Sequence, residues 1–158
     1  MNYDKENGIY GFDKTEYNFL SNMAEFDSPM VICGHRCNSS ENFYQAMKSE
    51  DPFIINKVLK MRPKKSKVFA RHITIRKDWA EIKEQVMLVA LRYKFKTSRY
   101  FRQELLKTGD RYIEETNDWK DHFWGVCDGK GKNRLGYLIM VVRDEIKSGD
   151  NTLGEIDW

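Results

Sequence analysis

Asn133-Arg134-Leu135-Gly136-Tyr137-Leu138-Ile139-Met140-Val141-Val142-Arg143-Asp144-Glu145-Ile146-Lys147 is the stretch on which the fold turns. Its centre, Leu138 to Val142, is continuous, apolar and partly β-branched, as a buried strand would be. Yet Leu135, Leu138, Ile139, Val142 and Ile146 share one face at helical spacing, and Arg143 and Lys147 lie toward the C-terminal end, where the helix dipole favours cations. Asn133 stands where an N-cap belongs. Read as a helix from Leu135 to Ile146, the stretch makes the chain predominantly helical.

Just upstream runs Glu114-Glu115-Thr116-Asn117-Asp118-Trp119-Lys120-Asp121-His122-Phe123-Trp124-Gly125, then Gly129-Lys130-Gly131-Lys132. Acidic residues are set among aromatic ones and followed by a glycine-and-lysine loop. Such a mixture suits a pocket for a flat, phosphorylated ligand: carboxylates stabilise positive charge, indoles stack on a ring, and lysines with backbone amides meet a phosphate. A surface loop with two indoles capping a core would show the same residue types. The Gly-Lys-Gly-Lys-Asn run lacks the serine or threonine that follows the lysine of a Walker A loop, so a plain turn and a phosphate contact both stay open.

Moving toward the N-terminus, Tyr112-Ile113-Glu114 and Phe123-Trp124-Gly125-Val126-Cys127 read as short strands flanking the acidic loop. Ser98 caps a helix through Lys107, and Gly109 supplies a left-handed residue at its end. Asp78-Trp79-Ala80-Glu81 has the form of a capping box with Asp78 as cap, for a helix to about Phe95 whose apolar positions Trp79, Ile82, Val86, Met87, Ala90 and Tyr93 keep the helical period. Trp79 is either plain core or the wall of a ligand site. Asp51-Pro52 opens another helix to about Lys60, and Pro63 breaks the chain. The cluster Arg62-Pro63-Lys64-Lys65-Ser66-Lys67 reads as a basic loop, either solvated or a rim that steers phosphate.

Ser39 or Ser40 caps a helix over Glu41-Asn42-Phe43-Tyr44-Gln45-Ala46-Met47-Lys48. Glu41, Gln45 and Lys48 fall on one polar stripe, an ordinary surface pattern, and Phe43, Ala46 and Met47 on a core stripe. Before it come short strands and loops, including a strand Val31-Ile32-Cys33-Gly34-His35 with a turn at Gly34. Asn18, Ser21 and Asn22 offer polar groups that either build turns or grip a base or ribose. Gly149 to Trp158 reads as a loosely ordered tail.

At 158 residues the chain fits one domain, residues 1–147, followed by a tail, 148–158. Lys and Arg exceed Asp and Glu by 27 to 24, and only one local basic cluster exists, so no dedicated nucleic-acid stripe is expected. No apolar run approaches the ~20 residues of a spanning helix, and the start lacks a signal-peptide shape, so a soluble, cytoplasmic protein without membrane partners is expected. Three cysteines argue against a disulfide framework. Cys33 and Cys37 bracket His35 without a second ligand pair, which favours reduced thiols over zinc. His35, His72 and His122 are scattered and no serine or cysteine elbow accompanies them, so a hydrolase triad is not expected.

Several motifs occur in one order: Phe19-Leu20-Ser21-Asn22, the Glu41 to Lys48 segment, Asp78-Trp79, Lys94-Phe95, Asp121-His122-Phe123-Trp124-Gly125 and Gly131-Lys132-Asn133-Arg134-Leu135-Gly136, then Met140 and Arg143. From Tyr10 to Ile146 the chain resembles the NADAR family, with its YbiA-like N-glycosidase branch. The resemblance implies an α+β, predominantly helical single domain with short strands. It also implies hydrolysis of ribose-phosphate N-glycosides, the ribosylaminopyrimidine phosphates of riboflavin synthesis, to ribose 5-phosphate and free base. Other family members act on ADP-ribose, including its removal from modified guanine. The alternatives are therefore an ADP-ribosyl hydrolase and a non-catalytic ADP-ribose or nucleotide-binding module. Carried over by position, Glu41 matches the family's essential glutamate, Trp79 its pocket tryptophan, and Asp121 with Trp124 its Asp-x-x-Trp-Gly pair. Asp118 and Trp119 form a second such pair, and the Trp-Gly spacing favours Asp121. The expected site comprises Glu41, Asp121 and Trp124 as catalytic residues. Trp79, Ser21, Asn22, Lys48, Lys132 and Asn133 are expected to bind substrate, with no metal or cofactor. The expected partner is a small nucleotide-like molecule, and nucleic acid enters only if ADP-ribosylated guanine is the substrate.

Overall fold

The decisive stretch is a helix, and the helices of this chain enclose its core. The computed structural model describes residues 2–13 and 15–158. In chain order the regular elements are β1 (Asp4–Tyr10), β2 (Met30–Ile32), β3 (His35–Cys37), α1 (Ser40–Ala46), α2 (Pro52–Leu59), α3 (Pro63–Phe69), α4 (Trp79–Thr97), α5 (Arg99–Lys107), β4 (Arg111–Glu114), β5 (Thr116–Asn117), β6 (Val126–Cys127) and α6 (Arg134–Lys147). A 3-10 segment at Thr15–Leu20 follows β1, and another at Ala70–His72 extends α3. The strands make three small pairs: β1 with β4 in parallel, β2 with β3 antiparallel, and β5 with β6 in parallel. The architecture is α+β and predominantly helical.

The longest helix, α4, packs against α1, α5 and α6. It buries Val86, Met87, Ala90, Leu91 and Phe95, on which Phe43, Met47, Ile139 and Val142 assemble in one core. In α6 the helical face outweighs the β-branched centre, since Leu135, Leu138, Ile139, Val142 and Ile146 are all buried. Gly136 in its first turn is there for proximity: a Cβ would stand 2.2 Å from the Ile113 carbonyl oxygen, so α6 can lie against β4 only with glycine at that point.

The local signals were redirected in several places. Asn133 precedes α6 but does not cap it. It is left-handed, at φ 50, and its amide turns inward, donating to the Ile113 carbonyl at 2.9 Å and the Tyr112 hydroxyl at 3.2 Å and accepting from the Glu115 amide at 3.0 Å. Asp78 makes no cap bond either, because Arg76 grips its carboxylate at 2.6 and 3.1 Å. Ser39 and Ser98 do cap, accepting from the amides of Asn42 and Phe101. Pro63 starts a helix rather than breaking the chain: at the first helical position its missing N–H costs nothing, so the basic cluster becomes α3.

Residues 31–35 form a hairpin rather than one strand, turning at Cys33 (φ 49) and Gly34 (φ 82). Of the segment from Phe123 to Cys127, only Val126–Cys127 is strand. The tail lacks helix and strand but is packed. Ile156 is buried in the core, Lys96 donates to the Thr152 carbonyl at 2.7 Å, and the Arg76 guanidinium lies 4.4 Å from the centre of the Trp158 ring. Among the described residues, no helix is long and apolar enough to cross a membrane.

Candidate active site

The polar stripe of α1 faces a cavity of about 630 Å³ instead of bulk solvent. Every residue of α1 is buried, including Glu41 and Gln45. Ser39 caps the helix, and the Glu41 amide donates to the Asn22 carbonyl at 3.1 Å, so the carboxylate is carried on a fixed first turn. Its Oε1 accepts from Gln45 Nε2 at 2.7 Å, and the residue lines the cavity. Burial pushes the Glu41 pKa above the ordinary carboxylate value. The Gln45 amide and the charges of Lys67 and Lys48 oppose that shift, while Asp121 adds to it.

Opposite α1 stands the acidic-aromatic loop between β5 and β6. Asp121 lines the cavity, whereas Asp118 is exposed and does not. Asn117 brackets Asp121, accepting from its amide at 3.1 Å and donating to its carbonyl at 2.9 Å. Asp121 Oδ1 accepts from the amides of Phe123 and Trp124 at 3.1 and 2.9 Å, closing the turn that presents the indole. Trp124 Nε1 donates to the Tyr44 hydroxyl at 3.1 Å, which fixes the ring edge-on to Tyr44 with centroids 5.6 Å apart. Trp79 also packs edge-on against Tyr44, with centroids 5.0 Å apart, and does not line the cavity.

Lys48 lines the wall with its ammonium over the Tyr44 ring at 5.3 Å. Ser21 and Asn22 form another wall and tie the early segment to the helices. Asn22 Oδ1 accepts from the Ser40 hydroxyl at 3.0 Å, and the Ser21 carbonyl accepts from Lys94 Nζ at 2.9 Å. Lys94 is fully buried, and burial brings its pKa down to about 7. Lys132 and Asn133 lie off the cavity, Lys132 with its ammonium 5.8 Å from the Phe123 ring and Asn133 bound to the backbone around β4.

Sequence reasoning left out several lining residues. The basic cluster was its best clue: Lys64 and Lys67 of α3, with Arg71 beyond it, give the cavity a cationic edge, and Lys67 lies 5.5 Å from the centre of the exposed Trp119 ring. Tyr44 and Gln45 were hidden in a helix read as half surface. Glu115 was hidden among the other acids of its run, although it is buried and Glu114 beside it is not. Among the described residues no group of three or more His, Cys, Asp and Glu side chains is gathered as a metal would need.

A family model described as the NADAR domain matches residues 9–147. The N-glycosidase YbiA of Escherichia coli is 35% identical over 136 residues, covering 83% of this chain and 82% of that protein. A riboflavin biosynthesis protein of Vibrio vulnificus is 33% identical over 152 residues, covering 90% of this chain, which spans 39% of that longer protein. The NMR structure of Escherichia coli YbiA superposes with a TM-score of 0.80 at 32% identity, covering 94% of this chain and 90% of that one. A family match over nearly the whole described core, with relatives above 30% identity and the same arrangement of helices, makes the chain a member of the NADAR domain family.

Proposed function

We propose that the protein is an N-glycosidase that hydrolyses the bond between C1′ of a phosphorylated ribose and the nitrogen of a base, releasing ribose 5-phosphate and free base. The observation that carries this reading is that the buried Glu41 carboxylate, the Trp124 indole and the cations of α3 all open on one cavity. The names N-glycosidase and riboflavin biosynthesis protein, borne by the two relatives, support ribosylaminopyrimidine phosphates as the substrate class.

As the base departs, positive charge grows on the ribose ring, and a carboxylate facing C1′ stabilises that charge and takes a proton from the attacking water. Glu41 has the position for this role: it lines the cavity, and Gln45 immobilises one of its oxygens. In a dry, preorganised pocket such a charge acts more strongly than in water and needs no reorganisation. Asp121 adds negative potential and holds the Trp124 turn, so that the indole walls the base. Lys48, Lys64, Lys67 and Arg71 receive the phosphate, whose remote binding energy orients the sugar.

The test incubates purified protein separately with a ribosylaminopyrimidine phosphate, ADP-ribose and ADP-ribosylated guanine DNA, and follows released base and sugar. Base and ribose 5-phosphate should come from the first, and Glu41→Gln should lower kcat by at least about 100-fold. Equal activity of wild type and Glu41→Gln removes Glu41 from the mechanism. Turnover of an ADP-ribosyl substrate alone replaces the substrate class.

A further inference from the structure

A departing base is a poor leaving group until its nitrogen is protonated, and Glu41, as the acceptor of the water proton, cannot supply that proton in the same step. Besides Glu41 and the aspartates Asp13 and Asp121, one more carboxyl opens on the cavity. Glu115 sits at the joint of β4 and β5 and is only 8% exposed. Its main chain is tied on both sides, the amide donating to Asn133 Oδ1 at 3.0 Å and the carbonyl accepting from the Val126 amide at 2.8 Å. Asn133 is therefore a support of this acid, which explains why it turns away from the helix it was expected to cap.

The space for the carboxyl is made by Gly125. A Cβ there would stand 1.8 Å from Glu115 Oε2 and 2.2 Å from the Glu115 carbonyl oxygen. Glycine after Trp124 thus lets the loop that carries Trp124 and Asp121 close directly over Glu115. Among the described residues no cation pairs with this carboxyl. Its bonded donor is the neutral amide of Asn117, at 3.0 Å from Oε2.

We propose that Glu115 is the general acid of the reaction. As the C1′–N bond breaks, its electron pair goes to the base nitrogen, which takes the proton of the Glu115 carboxyl. Water adds to C1′ and gives its proton to Glu41. Solvent then returns a proton to Glu115 and removes one from Glu41, so one water is consumed for each bond cleaved. This role rests on the N-glycosidase reading above.

The charged groups that bear on Glu115 are Asp121 of the β5–β6 loop, Asp13 beyond β1 and Lys67 of α3. Burial, as the largest cause, brings its pKa up to about 7, with the two aspartates adding to the rise and Asn117 and Lys67 opposing it. An acid held at that value keeps its proton on about half of the molecules at pH 7, against well under a hundredth for an ordinary glutamate.

The test compares wild type, Glu115→Gln and Glu41→Gln on two substrates, a ribosylaminopyrimidine phosphate and 4-nitrophenyl ribofuranoside 5-phosphate, whose leaving group departs without a proton. Glu115→Gln should lose about 100-fold in kcat on the first and far less on the second. Glu41→Gln should lose on both. Wild-type kcat/KM on the first substrate should fall as pH rises through about 7, and that limb should vanish in Glu115→Gln. Retained turnover of the nitrophenyl substrate also shows that the variant is folded. Equal losses on the two substrates, or none on either, overturn the role of Glu115 and leave the N-glycosidase reading standing. A wild type inactive on both sinks the two together.

Discussion

Glu41 and Glu115 are the same residue type in two settings. Each accepts from a neutral side-chain amide, Gln45 or Asn117, and each feels both Asp121 and Lys67; what differs is the second charge nearby, Lys48 for Glu41 and Asp13 for Glu115. Glu115 therefore has a stability consequence separate from its chemistry. Its folded-state pKa of about 7 lies above the ordinary 4.5, so between those values the folded chain keeps a proton that the unfolded chain has released. Unfolding free energy then falls as pH rises through that window and stays lower above it. Glu115→Gln does not titrate, so it should gain on wild type by on the order of 3 kcal/mol between pH about 4 and pH about 8. Urea unfolding of both proteins at the two pH values measures this. A constant difference between them would mean that the carboxyl is not perturbed by folding.

At the scale of elements, α6 and β4 are joined by a contact that intrinsic preference opposes. Replacing an interior helical glycine by alanine ordinarily gains about 1 kcal/mol. At Gly136 the added Cβ would meet the Ile113 carbonyl oxygen at 2.2 Å and Asn133 Oδ1 at 2.4 Å, and a backbone oxygen already held by the Asn133 amide cannot retreat cheaply. Overpacking of that kind costs about 1–3 kcal/mol, so Gly136→Ala should be destabilising in spite of its better helix propensity. Thermal unfolding decides between the two effects, and a higher Tm would show that the α6–β4 approach is loose. The same contact shows why Asn133 does not cap α6. An asparagine before an apolar helix is an N-cap by every local criterion, yet the buried groups around Ile113, Tyr112 and Glu115 compete for its amide and win.

For the whole molecule, the tail is a clamp along α4. Gln85 donates to the Glu155 carbonyl at 3.2 Å and accepts from the Asp157 amide at 3.1 Å, Lys96 holds Thr152, and Ile156 enters the core. No residue of this segment lines the cavity. Truncation after Ser148 should therefore lower stability by roughly 2–3 kcal/mol, mostly from the exposed apolar surface, while kcat on the cleaved substrate stays near wild type. An unchanged urea midpoint would mean that the tail is only laid on the surface. Polar, glycine-containing sequence from Gly149 to Asn151 hides this packing, because one buried isoleucine is too little for periodicity to register.

The sequence alone determined what depends on neighbours a turn or less away: a serine cap at Ser39 or Ser40, the cap Ser98, the proline start of α2, the buried face of α6, and the order of motifs that marks the family. Only the tertiary structure decided where those motifs meet. Residues 41, 67, 115 and 121 lie on separate elements, and the desolvation that sets the chemistry of Glu41 and Glu115 comes from elements distant in the chain. Helical period and capping are short-range effects. A cavity, and the pKa of an acid inside it, depend on packing between remote segments, which no local pattern encodes.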